Sequence, residues 1–74
     1  MPPRRLTYRQ IAEDMIDRIE RGEYPAGGLL PSRRLLAAMY SVSTTTADSA
    51  MSLIIDRGCA YGEIGRGTYV TEPD

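Results

Sequence analysis

The sequence predicts a single mainly α domain of 74 residues with a small β-hairpin at its C-terminal end. Three observations predict it. Apolar residues recur at helical spacing in three separate stretches, each opened by a serine or threonine. Only a short break at Ser41-Val42 separates the second stretch from the third, the signature of a helix-turn-helix. Two short β-prone runs close the chain around Gly65-Arg66-Gly67, which reads as a two-stranded wing. One domain therefore spans residues 1–74, with helices over about 7–21, 33–40 and 44–57 and a wing over about 59–71.

Composition bounds the rest. Apolar residues make up 42% of the chain, which is ordinary for a globular domain and too many for a disordered one. With no Trp or Phe, the core must be aliphatic, Met and Tyr. A chain this short buries little, so stability should be modest. No run approaches the roughly 18 apolar residues of a membrane span, and no signal-peptide pattern opens the chain. One cysteine and no histidine exclude an internal disulfide and leave no basis for a transition-metal or histidine-based catalytic site. The expectation is a cytoplasmic, non-catalytic protein without a cofactor.

The first helix should start at Thr7, where Thr7 and Gln10 have capping-box spacing. Tyr8, Ile11, Ala12, Met15, Ile16 and Ile19 form its inner face, and its acids lie opposite. Gly22 stops it. The segment 23–28 is a turn-rich connector, after which Leu29 and Leu30 should return to the core. The second helix opens on Ser32 after Pro31, with Arg33 and Arg34 at its start and an apolar stripe of Leu35, Leu36, Met39 and Tyr40. The third opens on Ser43. Its inward positions are Ala47, Ala50, Met51 and Ile54, which turns Thr44, Thr45, Asp48 and Ser52 outward, and Gly58 ends it. Strands over 59–64 and 68–71 then flank a turn that pushes Arg66 outward. The last residues, 72–74, are polar and read as a loose tail.

Net charge is −1, and its distribution says more than its sum. Arg4, Arg5 and Arg9 make the N-terminus basic, whereas residues 10–23 set five acids against two arginines. All nine basic residues are arginine. Arginine suits bidentate phosphate and guanine contacts, and genomic composition accounts for the bias as well. Cys59 reads as a small buried hydrophobe, and Tyr61 and Tyr69 as packing residues. Thr44 to Thr46 are explained by their place in a helical first turn, and without a histidine no hydroxyl here is an activated nucleophile.

Three ordered motifs carry a resemblance. YRQIAEDMIDRIERGEYPAGGLLPS is similar to the opening helix and Leu-Pro-Ser cap of the DNA-binding domain of the gluconate-repressor (GntR) family. SVSTTTADSAM resembles its recognition-helix pattern Gly-Val-Ser-Arg-Thr-Thr-Val-Arg-Glu-Ala-Leu, and GRGTYV at 65–70 its wing tip. The resemblance runs almost without gaps from Tyr8 to Val70. It implies a winged helix-turn-helix in a dimeric transcription regulator, such as a repressor, that reads short palindromes in double-stranded DNA. Arg34 would then contact phosphate, Ser43, Thr45 and Thr46 would lie at the groove-facing start of the third helix, and Arg66 and Gly67 would reach the minor groove. Arg4, Arg5 and Arg33 add phosphate contacts, and Thr44 and Asp48 add base-edge contacts. Because the chain ends four residues after Val70, no small-molecule effector is implied, and the expected location is the cytoplasm, on the nucleoid.

The departures from that pattern cluster where function should be. Thr44 and Asp48 replace arginines, Ser49 a glutamate, and Ser41 the turn glycine. The third helix is thus a weak electrostatic reader, and affinity must lean on Arg33, Arg34, Arg66 and the N-terminus. Leu35, Met39, Leu53 and Ile55 stand where relatives commonly carry charge. They either widen the apolar face that fills a small core or form a partner surface. The competing expectation is therefore a protein-interaction module that kept the fold and lost most of its DNA affinity.

Overall fold

The computed structural model describes residues 6–72; Arg4 and Arg5, and the last two residues of the tail, lie outside them. Three helices, α1 (Tyr8–Glu20), α2 (Arg33–Tyr40) and α3 (Thr44–Asp56), precede an antiparallel hairpin of β1 (Ala60–Glu63) and β2 (Gly67–Val70). Each helix starts on the expected cap. Thr7 and Gln10 form the reciprocal capping box. Ser32 accepts from the Leu35 amide at 3.1 Å, and Ser43 from the Thr46 amide at 3.2 Å.

The three helices also end alike. Gly22, Ser41 and Gly58 each sit at positive φ just past a helix. Each donates its amide three residues back, and the next residue donates five back: Glu23 to Arg18, Val42 to Ala37 and Cys59 to Ile54. This paired closure satisfies carbonyls that the helix leaves open, and it requires a left-handed residue at the stop. Glycine meets that requirement without strain in α1 and α3. In α2 a serine at φ 54 does the same work.

The core lies where α3 packs across α1 and α2, sealed by the wing. Ile11, Ala12, Met15, Leu36, Ala37, Ala47, Ala50, Met51 and Ile54 are buried, joined by Leu30, Ala60 and Val70. All four inward positions read for α3 are among them. Other expectations change. Tyr8 is exposed, lying along the outer side of α3 in a surface groove with Ser49, Ser52 and Leu53 rather than in the core. On α2 the buried stripe narrows to Leu36 and Ala37, leaving Leu35 and Met39 exposed. Tyr40 is half-buried: its hydroxyl donates to Asp14 of α1, and Arg18 lies 5.8 Å from its ring centre. Cys59 is half-buried against the core rather than fully enclosed, as are Leu53 and Ile55.

Leu29 differs most. It does not enter the core but is 59% exposed. It bridges antiparallel to Tyr69 on the free edge of β2, where Leu30 N–H donates to Thr68 at 2.8 Å and Val70 N–H to Gly28 at 2.9 Å. The connector thus adds a short third strand to the wing, and strand alternation sends Leu30 inward and Leu29 outward.

Candidate nucleic-acid interface

The turn between α2 and α3 is three residues long, 41–43, which sets the first turn of α3 beside the end of α2, and Asp48, one turn further on, reaches Arg33 at the start of α2. Thr44, Thr45, Asp48 and Ser49 are exposed, while Thr46 is half-buried. The Ser43 hydroxyl is committed to its own helix, accepting from the Thr46 amide and donating to the Thr46 hydroxyl at 3.1 Å. The hydroxyls of Thr44 and Thr45 make no bond among the described residues. Helix α3 contains no basic residue.

Its outward carboxylate is not alone, however. Arg33, the first residue of α2, pairs through Nε with Asp48 Oδ1. The side chains are 45% and 60% exposed, so solvent reaches the pair. Arg34, next to it, is exposed and forms no ion pair among the described residues. Ser32 caps only the Leu35 amide, so the amides of residues 33 and 34 remain open at the positive end of the helix.

The wing completes the surface. A turn at its tip is closed by Arg66 N–H donating to Glu63 at 3.1 Å, which carries Ile64, Gly65 and Arg66 into solvent. Arg66 therefore projects as the bracketing glycines predicted. Ile64, which reads as the end of a strand, belongs to the tip instead and is fully exposed. A groove of about 240 Å³ joins the wing to α2, lined by Leu29, Ser32, Arg33, Arg66 and Gly67 among others. The structure thus brings Arg33, Arg66 and Gly67 around one groove, and the ion pair ties that groove to Asp48 on α3. Tyr61 and Tyr69 stack on each other with ring centres 5.9 Å apart, on the wing's outer face beside Leu29.

Comparison with known proteins places these features in context. The model of the bacterial regulatory proteins of the gntR family matches residues 7–70. The chain is 36% identical over 66 residues to the HTH-type transcriptional repressor NagR of Bacillus subtilis, a match covering 89% of this chain and 27% of NagR. Among solved structures, a GntR family transcriptional regulator from Listeria monocytogenes superposes with a TM-score of 0.84 at 35% identity, covering 89% of this chain and 58% of that one. AraR(DBD) in complex with operator ORX1 superposes with a TM-score of 0.83 at 27% identity, covering 96% and 82%. The chain spans about a quarter of the length of NagR, and no helix among the described residues is long and apolar enough to cross a membrane.

Proposed function

This chain belongs to the gntR family of bacterial regulatory proteins, and on that premise we propose that it is a DNA-binding transcription regulator of the repressor type. It reads duplex DNA in the cytoplasm, with two copies engaging the halves of a palindrome. The observation that carries this reading is the groove around which α2 presents Arg33 and the wing presents Arg66, tied to the outer face of α3 by the Arg33–Asp48 pair. Arg34 and the open amides of α2 bind phosphate, with Arg4 and Arg5 as further phosphate contacts. Thr44, Thr45 and Asp48 meet base edges in the major groove, with Ser43 and Thr46 holding that first turn in shape. Arg66, with Gly67 behind it, enters the minor groove, where a narrow, electronegative floor attracts a guanidinium.

Fluorescence anisotropy with a mixed-sequence duplex over a salt series tests this. Binding should weaken as salt rises, and Arg34→Ala and Arg66→Ala should each flatten the log–log slope by about 0.9, one phosphate contact's share. Absence of binding at low salt, or binding indifferent to both substitutions, overturns it. In that event Leu35 and Met39, exposed one turn apart on α2, favour the protein-interaction reading.

A further inference from the structure

Asp48 is the one carboxylate on the exposed first two turns of α3, and its partner is the arginine that opens α2. We infer that Asp48 is an intramolecular competitor for DNA phosphate: it holds the Arg33 guanidinium in the free protein, so that DNA recruits Arg33 only by displacing it. The inference rests on the regulator reading above and adds a built-in brake to the same surface. Three features of the structure carry it. The pair crosses from α2 to α3, so forming it pulls Arg33 toward the face that would meet the major groove. Both side chains remain about half-exposed, and a solvent-exposed pair of this kind is weak enough for a phosphate to exchange with the carboxylate. Arg33 also lines the groove beside the wing, so a released guanidinium has a place on the same DNA-facing surface as Arg66.

A carboxylate that merely lay near DNA would repel it equally whether or not Arg33 were present. A competitor acts through Arg33, and that difference is measurable. The experiment compares wild type, Asp48→Asn, Arg33→Ala and the double variant by anisotropy on the same mixed-sequence duplex over a salt series. Thermal melts followed by circular dichroism check that each variant folds. Asp48→Asn should bind about two- to fivefold more tightly than wild type at low salt, because DNA no longer has to displace the carboxylate. In the Arg33→Ala background, Asp48→Asn should bring no such gain, so the double variant should bind like Arg33→Ala alone. Two results overturn the inference while leaving the regulator reading intact: an Asp48→Asn affinity no higher than that of wild type, or a gain from Asp48→Asn that persists in the Arg33→Ala background. A failure of both wild type and Asp48→Asn to bind at the lowest salt overturns the regulator reading and the brake with it.

Discussion

Ser41 occupies the position that glycine fills at the ends of α1 and α3, with φ 54 and ψ 45. An L-residue there costs about 1–2 kcal/mol in backbone strain, whereas glycine loses about 0.4–1 kcal/mol through the larger freedom of its unfolded chain. Ser41→Gly should therefore stabilise the domain by about 0.5 kcal/mol, seen as a higher urea midpoint at unchanged slope. Ser41→Val should destabilise it, since a branched side chain worsens the same clash. Tyr40 gives a second prediction at this scale. Burial, reinforced by the hydrogen bond to Asp14, raises the phenol pKa above its ordinary value of 10.0. The protonated phenol is thus favoured by folding. Its contribution is complete below pH 10.0 and is lost as pH rises through the raised folded-state value. Tyr40→Phe should cost about 1 kcal/mol at neutral pH and reduce the loss of stability above about pH 10, measured by urea titration at several pH values.

Among the elements, α3 has two duties that fall on opposite faces. Ala47, Ala50, Met51 and Ile54 bury the inner face against α1 and α2, while Thr44, Thr45 and Asp48 remain outside. Small alanines let the helices approach closely, and Met51 and Ile54 fill the remaining space. Ile54 is fully buried and its carbonyl also receives the Cys59 amide at the helix stop. Ile54→Ala should cost about 2–5 kcal/mol. In a domain this small, total stability is roughly 4–11 kcal/mol, so calorimetry should show a melting temperature lowered by roughly 8–40 °C, at about 4–8 °C per kcal/mol. The wing is an element of a different kind. It has three strands only because the connector before α2 pairs with β2, and that pairing fixes the wing to the N-terminal end of α2.

At the scale of the molecule, a chain of net charge −1 has to concentrate its cations to meet DNA. Many of its acids gather on α1 and just past its end, where Asp14 and Glu23 hold Arg18 and Asp17 holds Arg21 at 3.1 Å. Those pairs neutralise arginines on the acidic helix and leave Arg34 and Arg66 outside any ion pair among the described residues. The salt slopes of Arg34→Ala and Arg66→Ala are therefore properties of the whole charge layout: if the chain binds DNA, each should lose a full contact, because neither arginine has an ion-pair partner among the described residues.

What the sequence alone determined is local. Thr7, Ser32 and Ser43 as caps, Gly22 and Gly58 as stops, the inward faces of α1 and α3 and the outward Arg66 were all legible. Each depends on hydrogen bonds or spacings within a few residues. The family pattern added an expected role for the wing and marked Ser41 as standing in place of a turn glycine, a position whose positive φ the structure bears out. Tertiary structure alone decided the rest. Leu29 joined the edge of the wing because Thr68 and Val70, on either side of Tyr69, presented free backbone groups to Leu30 and Gly28. Leu35 and Met39 stayed outside because α3 covers only the Leu36–Ala37 side of α2. Asp48 found Arg33 because two helices cross at a three-residue turn. These contacts join residues far apart in the chain, and no periodicity encodes which surface of one helix will face the next.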